Sequence, residues 1–402
     1  MSWRKYIGPG PLIAAAFIGP GTVTICTMAG VNFGVDLLWA LALSMVTTLV
    51  LQEMVVRVGL IAHEGLAAVI IRSLPSRIFK IFSISIILLA IVIGNSAYEA
   101  GNIAGGAMGL EIFFSRHTLN IGQYHFNFIN FGIGLIALSL LLFGNFKRIT
   151  QALTALVLIM SMAFVYTALS LAPSLNVLFH GFLPSINQSN LITIVALIGT
   201  TVVPYNLFLH STLVSKTWNS ITDLKYARMD TFISVVLGSL VSMAIVITAS
   251  ESNASTVLNV MDLANGLEIS LGSFGKYLIG IGLFSAGITS AITAPLAGSL
   301  VICDLFGWPT ALKSKQMRIS IFFILGLGLS LASLGIKPVQ LISTAQVANG
   351  LLLPLLSGYI LWIVNKRSIM NGFHNGLVMN MIAIPVWLVT LFLCFWILYN
   401  VF

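Results

Sequence analysis

The chain has 402 residues, of which 58% are hydrophobic and only 7% charged, and its net charge is +8. A soluble domain with so few charges would lack an adequate polar surface, and the mean hydropathy of +1.03 agrees, so composition implies an integral membrane protein. No run of Lys and Arg occurs, which argues against nucleic acid as a partner. Cys26, Cys303 and Cys394 lie far apart in apolar stretches without metal-ligand spacing, so neither a disulfide framework nor a zinc site is implied.

Taken in chain order, eleven stretches are long and apolar enough to span a bilayer: about 10–32, 37–61, 78–109, 128–145, 149–172, 190–214, 229–250, 270–303, 317–335, 338–364 and 377–400. Met1–Lys5 has the charge of a signal peptide, but no small-residue cleavage site closes the apolar run that follows. That run is read as a retained first span. With the N-terminus in the cytoplasm, only Arg116, Lys276 and Lys337 of the 19 Lys and Arg fall on the outer side. The count of spans and the orientation therefore support each other, and an odd number places the C-terminus outside. The expected location is the plasma membrane (the inner membrane of a bacterium). Connections are short, so residues 1–402 read as one membrane transporter domain.

The first and sixth stretches are each interrupted by proline, at Gly19-Pro20-Gly21-Thr22 and at Val202-Val203-Pro204-Tyr205-Asn206. Proline removes a backbone donor and clashes with the preceding turn. Within a membrane, unwound backbone is tolerated only where protein buries it or it lines a cavity. Stretches 1–5 (about 10–172) and 6–10 (about 190–364) each open with such a break. Five spans is odd, so the second set runs in the opposite sense, as an inverted repeat, and stretch 11 is peripheral. The expected fold is all-α and LeuT-like, with eleven transmembrane helices and helices 1 and 6 broken at the midplane.

Four sequence stretches resemble the Nramp family of proton-coupled divalent-metal transporters. After the first break comes Ala29-Gly30-Val31-Asn32-Phe33-Gly34-Val35-Asp36-Leu37-Leu38-Trp39, close to the family's AG-x-x-FG-x-x-LLW. Leu51-Gln52-Glu53-Met54 with Arg57 follows, then Glu64-Gly65-Leu66-Ala67. The sixth stretch, Thr200 to Ser211, is similar to ATVMPHNLYLHS, and Ala345 to Pro354 to SQVVLSLQLP. The resemblance implies a secondary transporter working by alternating access, not an enzyme, with no cofactor.

That resemblance also implies departures. Where the family binds metal with aspartate, asparagine and methionine, this chain has Gly19, Thr22 and Val203; the histidine beside the second proline is Tyr205. An acidic pair on the third span becomes Glu99 and Asn102. The expected substrate site therefore comprises Gly19, Gly21, Thr22, Thr24, Thr200, Thr201, Val203, Tyr205, Asn206, Gln346 and Asn349, none of them charged. Glu99, His210 and Asn102 are the candidate proton-coupling residues, because ionisable groups within spans mark proton relays. With no fixed anion for a bare metal, no resident metal is expected. Exposed N–H groups after a break favour a small polar or carboxylate-bearing organic solute. The alternative is a divalent cation that keeps its water, as magnesium prefers. Glu53 and Arg57, four apart on a helix, are expected to pair, Arg228 and Asp230 to form an inner charge cluster, and the chain to be a monomer.

Overall fold

The computed structural model describes residues 8–10, 17–114, 118–121, 124–143, 147–218, 220–252, 254 and 256–401. Arg4, Lys5, Arg116 and residues 11–16 of the first expected span lie outside these. Helix α1 (Pro20–Phe33) follows the first break, with Pro20 at its first turn, where a missing N–H costs nothing. Then come α2 (Leu38–Ala62), a short α3 (Leu66–Ser73) and the long α4 (Arg77–Leu110), whose first turn is capped by the Ser76 hydroxyl. A two-stranded antiparallel hairpin, β1 (Thr118–Ile121) and β2 (Tyr124–Asn127), links α4 to α5 (Phe128–Phe143); Thr118 pairs with Asn127. α6 (Lys147–Leu171) and α7 (Leu175–Gly181) complete the first half.

The second half opens with α8 (Leu191–Thr201) and α9 (Pro204–Thr217), the two parts of the broken sixth stretch. It continues through α10 (Leu224–Ser250), α11 (Val260–Leu271), α12 (Phe274–Phe306), α13 (Lys315–Ala332) and α14 (Pro338–Val364). A short α15 (Arg367–Met370) precedes α16 (Leu377–Val401). Among the described residues, nine helical segments have the length and apolarity of a span, the broken Leu191–Thr217 counting as one. With α1 and the sixteen-residue α5 they account for all eleven expected stretches.

Three expectations need correction. The stretch read as 270–303 begins too early: its first residues belong to α11, a helix that sequence periodicity did not separate. The chain turns at Gly272 (φ +55°) before α12 starts. The hairpin adds a small β element to an otherwise helical chain. Arg228 and Asp230 do not form one charge cluster. Arg228 donates through Nε and Nη2 to Glu53 Oε1 (2.9 and 2.6 Å), and Glu53 also accepts from Arg57 (2.9 Å), as expected for that pair. The buried Arg57 donates further to the Phe373 carbonyl and to Asn375 Oδ1, so one ion cluster ties α2, α10 and the connection before α16 together.

Packing is densest where α4 crosses α12, and α4 also contacts α13 and α14. Small residues make the crossing close: a Cβ on Gly287 would fall 2.5 Å from Gly106 Cα, and one on Gly109 would fall 2.5 Å from the Gly280 carbonyl oxygen. Between the halves, α1 packs against α10 and α2 against α9, and within the second half α8 packs against α14. Lipid-facing side chains such as Phe143, Phe395 and Leu377 remain exposed, whereas α12 is almost wholly buried.

Asp230, on α10, is buried and accepts from the backbone N–H groups of Gly8 (3.0 Å) and Gly10 (2.7 Å). Its carboxylate thus holds the segment ahead of the first break. Asp230→Ala removes both acceptors and is expected to lower stability by about 2 kcal/mol, with Asp230→Asn retaining part of it. The thermal unfolding midpoints of the two variants in detergent check the order.

Candidate functional site

Both proline interruptions are real breaks. Ile18 and Gly19 leave the helix before Pro20, with Gly19 extended (φ −92°, ψ 177°). Val202 (φ −99°, ψ 72°) and Val203 (φ −77°, ψ 121°) separate α8 from α9. The two breaks meet. The hydroxyls of Thr22 and Thr200 are hydrogen-bonded at 3.0 Å across the junction, and Thr22 also donates to the Phe17 carbonyl just before the first break. Thr201 donates back to the carbonyls of Leu197 (3.0 Å) and Ile198 (3.1 Å) and shares a short hydrogen bond with Ser44 of α2. A hydroxyl thus serves a carbonyl at the first interruption, whereas at the second the Ile198 carbonyl is also held by the Val202 N–H (2.8 Å) and Thr201 ties the last turn of α8 to Ser44.

Two further elements close the site. From α14, Gln346 reaches the first break: a Cβ on Gly21 would lie 2.1 Å from Gln346 Nε2 and 3.4 Å from Thr200 Oγ1. Behind it, a Cβ on Gly199 would meet the Gln346 carbonyl oxygen at 1.9 Å, so α8 and α14 touch backbone to backbone. Asn349, one turn further along α14, instead points toward Gly94 of α4. From α4, Gly105 lies against the Pro20 ring, where a Cβ would fall 2.3 Å from Pro20 Cβ. All the expected substrate residues are buried: Gly19, Gly21, Thr22, Thr24, Thr200, Thr201, Val203, Tyr205, Asn206, Gln346 and Asn349.

Several buried polar atoms here have no protein hydrogen-bond partner: Thr24 Oγ1, both amide atoms of Asn206 and Gln346 Oε1; farther from the breaks, Asn349 Nδ2, His210 Nε2 and Glu99 Oε1 are likewise unpartnered. Buried polar groups are ordinarily satisfied, so a concentration of orphaned oxygen and nitrogen around two broken helices is what a polar substrate or its water would fill. Among the described residues, no group of three or more His, Cys, Asp or Glu is arranged to hold a metal. The ligating atoms at the breaks are hydroxyls, amides and carbonyls.

The candidate proton groups are not grouped as one relay. Glu99 is fully buried, with Oε2 accepting a weak bond from Asn102 Nδ2 (3.4 Å). Its side chain leans on α13, where a Cβ on Gly328 would lie 2.5 Å from Glu99 Cγ. Glu99 thus faces the α4–α13 contact, whereas Gly105 and Gly101 carry the side of α4 that faces Pro20 and α14. His210 lies two turns into α9, its Nδ1 in a short hydrogen bond with Gln52 Oε1 of α2. Tyr98, next to Glu99 in α4, is in edge contact with Tyr205 at the start of α9, their ring centroids 5.3 Å apart. Sequence reading missed Ser44 and Tyr98; it met Gln52 only within the Leu51-Gln52-Glu53-Met54 stretch, and small residues such as Gly101 and Gly105, on one helical face, signal close packing without naming the partner.

The chain matches the family described as "Natural resistance-associated macrophage protein-like" over residues 10–400. It belongs to the Nramp family. Its relatives include the divalent metal cation transporter MntH of Verminephrobacter eiseniae, 25% identical over 397 residues, with 94% of this chain and 85% of that protein covered. The MntH of Staphylococcus saprophyticus is 27% identical over 403 residues, covering 94% of this chain and 88% of the relative. The solved Eremococcus coleocola manganese transporter superimposes with a TM-score of 0.76 at 21% identity, covering 97% of this chain and 85% of its own. The transporter MhsT, solved in complex with L-phenylalanine, shares the fold at a TM-score of 0.60 and 15% identity, with 98% of each chain covered. The Nramp chain thus has the LeuT-like fold that the paired breaks imply.

The glycine contacts make a discriminating pair of variants. Gly105→Ala sets a methyl against the rigid Pro20 ring and is expected to cost about 1–3 kcal/mol and to depress transport. Gly101→Ala meets only ordinary contacts of 3.5 Å and longer, so it is expected to be tolerated. Melting midpoints and uptake rates, measured side by side, check the contrast.

Proposed function

We propose that this Nramp protein is a secondary transporter of a divalent cation, working by alternating access about the two broken helices. What carries the reading is the pair of breaks joined through Thr22 and Thr200 and ringed by buried, unpartnered oxygen atoms, in a chain whose full-length relatives are divalent metal cation transporters. The organic-solute expectation gives way to this alternative. It rested on the missing anion and on the N–H groups exposed after a break, whereas relatives that match 94% of the chain carry divalent metal in their names.

The neutral donor set shapes the finer proposal. A bare dication held by hydroxyls and amides alone would be poorly compensated, since charge in a low-dielectric interior is costly when unpaired. A cation that keeps part of its water spreads its charge over more oxygens, and magnesium, which dehydrates reluctantly, is suited to this. Gly19, Gly21, Thr22, Thr24, Thr200, Thr201, Val203, Tyr205, Asn206, Gln346 and Asn349 would contact that hydrated ion. In the closed arrangement the Thr22–Thr200 bond and Gln346 fill the junction, so loading an ion requires the two breaks to separate. Glu99, with Asn102 and His210, is assigned to proton coupling. We place the N-terminus in the cytoplasm and read the protein as a monomer, with residues 10–172 and 190–364 as the repeats of one transporter domain.

Uptake into proteoliposomes tests the proposal. Manganese or magnesium uptake driven by a pH gradient is expected; a panel of labelled organic and amino acids is expected to give none, and the reverse result sinks the cation reading. Gly19→Asp places a carboxylate at the first break and is expected to tighten manganese binding at least about tenfold, close to 1.4 kcal/mol. Glu99→Gln is expected to leave binding in place while uptake loses its dependence on the pH gradient.

A further inference from the structure

We propose that the cavity between the C-terminal end of α5 and the N-terminal end of α13 binds an anionic phospholipid of the cytoplasmic leaflet. The cavity measures about 460 Å³ and is lined at one end by Lys313, Lys315 and Arg318. All three side chains are exposed, and among the described residues none is paired with a carboxylate. None of the described residues that line the cavity is Asp or Glu. Three like charges gathered at one opening repel one another, and an anion seated among them relieves that repulsion.

The rest of the wall selects lipid over a free anion. Lys315, Arg318, Ile319 and Phe322 are spaced i, i+3, i+4 and i+7, so they share one face of α13. Along that face the cations come first and the apolar residues lie one and two turns deeper. Phe143 of α5 stands opposite. Ile319, Phe322 and Phe143 are 58%, 63% and 88% exposed. The order of charge and then apolar surface along one helix repeats the order of headgroup and acyl chain in a leaflet. A soluble phosphate would use the cations and leave the aromatic wall uncovered. Sequence reading puts this end of α13 on the cytoplasmic side, where basic residues between helices recognise anionic headgroups. The site lies away from the broken helices and does not depend on the substrate they carry.

The test uses the full-length protein, delipidated in a neutral detergent and then given phosphatidylglycerol, phosphatidylcholine or inorganic phosphate. Native mass spectrometry and the thermal unfolding midpoint are the readouts. Phosphatidylglycerol is expected to remain bound and to raise the midpoint. Phosphatidylcholine and phosphate are expected to do neither. The triple substitution Lys313→Gln, Lys315→Gln, Arg318→Gln is expected to weaken phosphatidylglycerol retention at least about tenfold, while Lys313→Arg with Lys315→Arg retains it. Phe322→Ser is expected to weaken retention while the charges stay intact. Equal retention of phosphatidylcholine overturns the proposal, as does equal stabilisation by phosphate. Loss of an assembly of two copies in the Phe322→Ser variant, with lipid retention unchanged, would show that the face is a protein contact and also overturns it.

Discussion

An interrupted helix in hydrocarbon leaves backbone groups that no water can reach, and the architecture of this protein follows from satisfying them. The helices stop at Pro20 and Pro204, although Pro295, Pro354 and Pro385 lie inside continuous helices, so carbonyls before each break need partners. Thr22 donates to the carbonyl of Phe17, the Val202 N–H to that of Ile198, and Thr201 ties the end of α8 to Ser44. One hydroxyl pair, Thr22 with Thr200, then joins the two breaks. The same polar atoms that make the interruption tolerable are the ones we propose the substrate meets, so in this reading stability and function converge on a few side chains.

Close approach around the breaks is achieved by absent side chains. Gly105 admits the Pro20 ring, Gly21 admits the Gln346 amide, and Gly199 admits the α14 backbone. Each contact is short enough that one added carbon must displace something. Farther out, the crossing of α4 and α12 uses the same device at Gly106 and Gly287. With lipid tails as apolar as leucine, burial alone gives helices little reason to associate, so dense packing between small residues has to supply the attraction. Charged residues serve the end that we place in the cytoplasm instead. Glu53 bridges Arg57 and Arg228, and Asp230 holds the backbone of Gly8 and Gly10.

Family membership was legible in short stretches: the two prolines, the Leu51-Gln52-Glu53 run and the Gln346-Val347 pair. The broken helices were legible because a proline stands in each of two matching stretches, although Pro295, Pro354 and Pro385 sit inside continuous helices. The direction in which Glu99 points was not. Position along α4 places Glu99 six residues from Gly105, but the two point to different neighbours, α13 and Pro20. Asn349 likewise shares a turn with Gln346 yet points toward Gly94 of α4. The pairing of Arg228 with Glu53 rather than with a near neighbour in sequence spans 175 positions and has no local signature.

The sequence by itself determined the membrane class, the eleven apolar segments and the two points of unwinding, because hydropathy and backbone preference act through neighbouring residues. Only the tertiary structure decided which hydroxyls meet across the breaks, which glycines make room, and where the buried carboxylate lies relative to the site. Those outcomes depend on how helices rotate about their axes and pack, and that rotation is fixed by contacts between residues remote in the chain.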